Sequence, residues 1–174
     1  FLEHHLEMEK LFIINTRSDR NPGTFYLFDK NKGSLSFQGD VIPGIDPKKM
    51  ARVDPFSMNA RDGLKMYGYL TVPNVLEEKN LPLVVFVHGG PYGARDSWQW
   101  DDRAQMLASR GYLVLQLNYR GSGGYGYEFQ RKGFGEYGQK MIDDITDATN
   151  WAINSGLADR NRVCIHGVSY GGYA

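Results

Sequence analysis

The sequence predicts an α/β fold, a mostly parallel sheet with helices on both faces, and three observations carry that prediction. The run "LPLVVFV" at 81–87 is continuously apolar, as a strand covered on both faces must be, and "YLVLQL" at 112–117 is another run of buried-strand length. The segment "KMIDDITDATNWAINSG" has helical period, with Met141, Ile145, Ala148 and Ala152 recurring on one face until Gly156 ends it. Strand runs and helix runs then alternate as far as "RVCIHG" near the C-terminus. At 174 residues the chain holds one domain, or one plus a piece of another.

The elements follow in order. "KLFIINT", "GTFYLFD" and "SLSFQG" read as antiparallel strands, the last two joined by a turn from Asp29 to Gly33. Three short strands bury little and belong to a larger all-β unit. "VIPGIDPKK", with two prolines and a glycine in nine residues, suits a linker, so we place the boundary there: residues 1–44 form one unit and 45–174 another. "DPFSMNARDGLKMYGYLTVP" reads as a hairpin around Asp62-Gly63, giving the parallel sheet an antiparallel edge. "DDRAQMLASRG" reads as a short helix with Asp101 as N-cap and Gly111 at C′. Eight of the 21 glycines fall between Gly111 and Gly138, which predicts a long surface loop with a few helical turns at most.

Composition excludes several function classes. Acidic and basic residues balance at 20 each, which argues against nucleic acid or an anionic membrane surface as partner. No apolar run approaches the roughly 18–20 residues of a membrane span. Cys164 is the only cysteine, so no internal disulfide forms and a reducing, cytoplasmic compartment fits. His4 and His5 are adjacent but lack companion ligands, so they read as solvated surface, and no metal or organic cofactor is expected. The start, "FLEHHLEMEK", lacks a secretory pattern and reads as the interior of a longer parent chain.

The chemistry concentrates in "HGVSYGG", where Gly167, Ser169 and Gly171 make a Gly-x-Ser-x-Gly pattern directly after a strand run. A serine on a sharp strand-to-helix turn exposes its Oγ, and the flanking glycines, Gly172 included, let the helix pack close behind it. "HGGPYG", at 88–93, follows an earlier buried strand. In a parallel sheet both segments then share the carboxyl edge and one crevice. Attack by Ser169 on a carbonyl would place negative charge on its oxygen. The backbone N–H groups of Tyr170 and Gly90 are the candidate donors to that oxyanion. The nucleophile also needs a base and an orienting carboxylate. His88, beside the oxyanion loop, reads as structural, and His166, three residues before Ser169 on the same strand, cannot readily turn back onto Oγ. On this fold the partner acid and histidine follow the serine, so the triad Asp and His are expected to be absent from this chain.

Together, "ARDGLKMYGYLTVP", "LVVFVHGGPYG", "GYLVLQLNYRGSGGYG" and "RVCIHGVSYGGYA" resemble the prolyl oligopeptidase family of serine peptidases, in its acylaminoacyl-peptidase and dipeptidyl-peptidase-like branch. The likeness runs from about residue 50 to 174. Residues 10–40 resemble the last strands of the β-propeller that precedes the catalytic domain in that family. The resemblance implies the N-terminal half of an α/β-hydrolase domain, truncated after the nucleophile elbow. It gives Ser169 as nucleophile, Tyr170 and Gly90 as oxyanion donors, and Arg120 as a loop-fixing residue whose guanidinium holds backbone carbonyls. Tyr125 and Tyr127 read as packing. It further implies oligopeptide substrates, no cofactor, pairing with the remainder of the same protein, and room for an oligomer. On this reading the chain is an inactive fragment of a peptidase. A carboxylesterase on the same fold, or a non-catalytic fragment, are the alternatives.

Overall fold

A computed structural model describes residues 10–174. β1 (Leu11–Thr16), β2 (Thr24–Asp29) and β3 (Ser34–Asp40) form a three-stranded antiparallel sheet in chain order. The β2–β3 turn is built by Asp29, whose carboxylate accepts the backbone N–H groups of Asn31 and Lys32 at 3.0 and 3.1 Å, with Gly33 at φ 60°. Residues 41–51 carry no strand or helix.

The second sheet has β4 (Arg52–Asn59), β5 (Lys65–Val72), β6 (Leu81–Val87), β7 (Leu113–Asn118) and β8 (Ala158–Gly167) in the order β4-β5-β7-β6-β8. β7 is inserted between β5 and β6, so the chain crosses over twice. The pairings β6/β7 and β6/β8 are parallel, whereas β4/β5 and β5/β7 are antiparallel. The expected mostly parallel sheet is therefore mixed, because the hairpin supplies two of its five strands.

Two helices cover opposite faces. α1 (Asp102–Ala108) sets Ala104 and Leu107 against Phe86 and Val114. The Asp101 carboxylate caps it, accepting Arg103 and Ala104 N–H at 3.0 and 2.9 Å. Gly111 N–H bonds Ala108 O and Tyr112 N–H bonds Leu107 O, the Schellman pattern that puts Gly111, at φ 86°, in the C′ position. Between the two helices in sequence lies the short α2 (Tyr127–Arg131). On the other face, α3 (Lys140–Asn154) buries Met141, Ile145, Ala148 and Ala152 against the alternate strand positions, among them Leu83, Val85 and Leu115. Each such large side chain contributes about 1.5–3 kcal/mol of burial. Phe56 stacks on Trp151 at 4.6 Å and seals the rim.

Three further expectations are corrected. The glycine-rich segment, which holds α2, is not wholly a surface loop: Tyr119 to Gly121 and Ser122 are buried. They are drawn inward because Arg120 meets a buried carboxylate on α3. Tyr125 does pack, stacked on Tyr67 at 4.7 Å, but Tyr127 is exposed. β8, expected as a short strand, runs ten residues, with a register break against β6 between Leu81 and Leu83. It is the sheet edge, and Val163 and Ile165 lie exposed on it.

Candidate active site

Val87 and Gly167 are register partners, so the loops that leave β6 and β8 at their carboxyl ends emerge side by side. One carries His88-Gly89-Gly90-Pro91; the other turns through Val168 and Ser169 into the short helix α4 (Tyr170–Tyr173). Ser169 stands at φ 59°, ψ −122°. That is a region a side chain rarely occupies, and it holds the serine at the apex of the turn. The turn is closed by Gly171 N–H to Val168 O at 3.1 Å and Gly172 N–H to Ser169 O at 3.0 Å.

The glycines have unequal reasons to be glycine. A Cβ at Gly171 would overlap Val87 O, and one at Gly167 would overlap the backbone of Gly171, so both permit α4 to lie directly on the sheet edge. At Gly172 the nearest neighbouring atom, Gly167 O, would be 3.4 Å away, an ordinary contact. Gly90 needs its identity for its φ of 122° and for Ala94 Cβ and Tyr92 N, each 3.1 Å from where its Cβ would sit. The position that faces the serine is Gly89, whose Cβ would lie 3.4 Å from Ser169 Cβ and 3.8 Å from Oγ. Motif reasoning does not single out Gly89, and its place in the Gly-Gly pair is the signal that could have done so.

His88 is enclosed. Its ring stacks on Tyr119 at 4.4 Å, Nδ1 is 2.8 Å from Gly89 O, and Nε2 is 2.9 Å from Ser122 Oγ. Tyr119 OH donates to His88 O at 2.9 Å. Desolvation pushes the His88 pKa down, which keeps the ring neutral. His166 lies against Phe86 with ring centroids 5.1 Å apart. Among the described residues, no hydrogen bond joins either ring to Ser169 Oγ. His4 and His5 lie outside the described residues.

Arg120 differs from expectation in what it holds. Its guanidinium binds carboxylates rather than backbone carbonyls: Nε and Nη2 donate to Asp144 at 2.8 and 2.7 Å, and Nη1 donates to Asp62 at 2.8 Å. The Arg120 backbone N–H adds a third donation to Asp144, at 2.9 Å. Asp144, wholly buried, lies on the apolar face of α3 three residues after Met141. A carboxylate at that helical position is a legible signal that a cation must meet it. The side-chain bonds to Asp144 and Asp62 push the Arg120 pKa further up.

A second acid, Asp96, half-buried, follows the Gly89-Gly90 loop. Its backbone is pinned by Asn118, which accepts Asp96 N–H at 2.8 Å and donates to Asp96 O and Tyr125 OH. Burial first, then the charge of Asp101, pushes the Asp96 carboxyl up to about 7. Its Oδ2 is buried without a hydrogen-bond partner. Among the described residues no group of three or more His, Cys, Asp or Glu is placed to hold a metal, and no helix is long and apolar enough to cross a membrane.

Residues 98–174 match the model of the prolyl oligopeptidase family. The chain is 38% identical over 173 residues to dipeptidyl aminopeptidase BIII of Pseudoxanthomonas mexicana, covering 95% of this chain and 25% of that protein. It resembles the structure of a Mycobacterium tuberculosis puromycin-hydrolyzing peptidase with a TM-score of 0.79 at 25% identity, over 94% of this chain and 26% of that one. With Pyrococcus horikoshii acylaminoacyl peptidase the TM-score is 0.74 at 29% identity, over 95% and 26%. The chain thus spans about a quarter of the length of the curated relatives it matches. Motif order, mixed sheet and matched sequence agree, and residues 98–174 carry the match to the prolyl oligopeptidase family.

Proposed function

We propose that Ser169 is the nucleophile of a serine peptidase that cleaves short peptides through an acyl-enzyme, with Tyr170 and Gly90 N–H as oxyanion donors. The observation that carries this reading is the backbone of Ser169, strained at φ 59°, ψ −122° where β8 turns into α4 and beside the Gly89-Gly90 loop. Strain of that kind persists where surrounding structure over-determines it, and it clusters at reactive residues. Gly167, Gly171, Gly172, His88 and Arg120 are structural supports in this reading. Residues 1–44 are the end of a β-propeller and its linker, and 45–174 the first part of the α/β-hydrolase domain.

Acyl transfer also needs a base, and neither described histidine bonds Ser169 Oγ. The activity is therefore assigned to the longer protein, with the triad Asp and His outside this chain, and the 174-residue polypeptide by itself is inactive. Oligopeptides are the substrate class in this reading, supported by two relatives, 38% and 39% identical, that carry aminopeptidase and peptidase names. The test is the intact mass of the native protein before and after a fluorophosphonate probe, with the adduct mapped. One adduct on Ser169, lost in Ser169→Ala, supports the assignment; labelling elsewhere or none sinks it. Faster turnover of a simple ester than of a peptide anilide, with no measurable amide cleavage, would turn the reading to a carboxylesterase.

A further inference from the structure

The peptide unit between Gly89 and Gly90 has two polar ends, the Gly89 C=O and the Gly90 N–H. It is trans, the next bond, Gly90–Pro91, being cis. In a planar trans amide the C=O and N–H point in opposite directions, so fixing one aims the other. The N–H of Gly90 is the candidate oxyanion donor; the C=O of Gly89 is gripped by His88 Nδ1 at 2.8 Å.

A carbonyl can only accept, so His88 Nδ1 must carry the proton. In the neutral ring Nε2 is then an acceptor, and the group that faces it is the Ser122 hydroxyl at 2.9 Å. Ser122 is wholly buried, so its hydroxyl proton has no water to turn to. Tyr119 OH comes within 3.3 Å of Nδ1 but donates the shorter bond, 2.9 Å, to His88 O. The stretch that bears Ser122 is itself zipped to the oxyanion loop: Gly93 N–H bonds Gly121 O at 2.9 Å and Gly123 N–H bonds Ala94 O at 3.0 Å. A Cβ at Gly123 would overlap Gly93 O, so this approach requires glycine. Behind it Arg120 is moored to α3 through Asp144.

We infer that Ser122 and His88 are positioning residues: the Ser122 hydroxyl holds His88 as its Nδ1-protonated tautomer, and His88 in turn aims the Gly90 N–H by gripping the Gly89 carbonyl. The grip also polarises the amide, because a bond accepted at C=O strengthens the one donated by N–H of the same unit. This inference rests on the assignment of Gly90 N–H as oxyanion donor. It differs from a packing role for His88 in a checkable way: the ring nitrogen that bears the proton decides the outcome, while ring bulk does not.

The test uses the native full-length protein and three variants, assayed for kcat and KM with a peptide anilide. Ser122→Ala is expected to lower kcat about tenfold or more with KM changed less than twofold, since the oxyanion exists after substrate binding. His88→Asn puts an amide donor where Nδ1 stood, and His88→Gln puts it where Nε2 stood. The Asn variant should retain about tenfold more kcat than the Gln variant. A ¹⁵N spectrum of histidine-labelled protein should give the His88 signal as the Nδ1-H tautomer, shifting in Ser122→Ala. An Nε2-H tautomer in the native protein, an unchanged kcat in Ser122→Ala, or a Gln variant equal to the Asn variant would each overturn the inference. If Ser122→Ala does not fold, the His88 pair and the native spectrum decide. Ser169→Ala is run beside them. Hydrolysis that survives it would remove the nucleophile assignment, while the tautomer spectrum still reports on the Ser122–His88–Gly89 chain independently.

Discussion

Asp96 carries an ionisable group into surroundings that hold it badly. Its carboxyl is raised to about 7 in the fold against an ordinary 3.8, because burial and Asp101 both oppose the charge. Between about pH 4 and 7 the folded state keeps a proton that the unfolded chain gives up, so this group's contribution to stability falls as pH rises through that window, by at most about 1.4 kcal/mol for each pH unit crossed. Asp96→Asn should therefore raise the thermal midpoint at pH 8 while leaving it little changed at pH 4, as a pair of calorimetric scans would register. A parallel fall of both proteins between the two pH values would refute it. Arg120 poses the opposite case, a buried charge fully matched. Arg120→Met strands Asp144 in the core and is expected to cost about 3–5 kcal/mol in a denaturant titration. In the double variant Arg120→Met/Asp144→Leu much of that loss should return, because no charge is left to bury.

The elbow is where strand, turn and helix must agree to within a fraction of an ångström. Gly171→Ala drives a methyl into Val87 O, so α4 must lift from the sheet, and labelling of Ser169 by a fluorophosphonate should fall by at least tenfold. Gly172→Ala meets nothing nearer than 3.4 Å and should label close to the native rate. Equal rates in the two variants would remove the distinction between them. That distinction cannot be read from "SYGG", where two neighbouring glycines look alike; it depends on which one the chain turns toward β6. What the sequence does disclose is whatever has a local cause. Apolar runs form β6 and most of β7, the helical period forms α3 down to its four expected buried positions, and Asp101 and Gly111 cap α1. Ser169 is legible as a turn residue for the same reason. The partners of Arg120 are not, since Asp62 and Asp144 lie 58 and 24 residues away from it in the chain and only the strand order brings them together. The share of antiparallel pairing is hidden likewise, because register between strands is a property of the sheet.

The two sheets of the molecule are joined by more than a linker. Asp19, in the β1–β2 connection, accepts the N–H of Val53 on its carboxylate at 3.0 Å and the amide of Gln105 on its carbonyl at 3.0 Å, while Gln105 also bridges Ala51. Asp19→Ala leaves the Val53 N–H unpaired at a buried seam. It is expected to lower stability by about 1–3 kcal/mol, with hydrogen exchange accelerated at Ala51 and Val53 before it rises elsewhere. The free side of β8, with Val163 and Ile165 open to solvent, gives a further expectation for the 174-residue polypeptide by itself. It should self-associate at micromolar concentration, and light scattering that finds a stable monomer would contradict that. The strand order β4-β5-β7-β6-β8 also has a meaning in time. On a ribosome β6 leaves the exit tunnel with no neighbour to pair with, since both of its partners, β7 and β8, are still to be made. At about 5–20 residues per second the most apolar stretch of the chain waits a few seconds for β7, and β5 waits beside it with one edge unfilled. The arrangement that pairs β6 on both edges in the finished sheet is thus the one that leaves it unpaired and in reach of chaperones during synthesis.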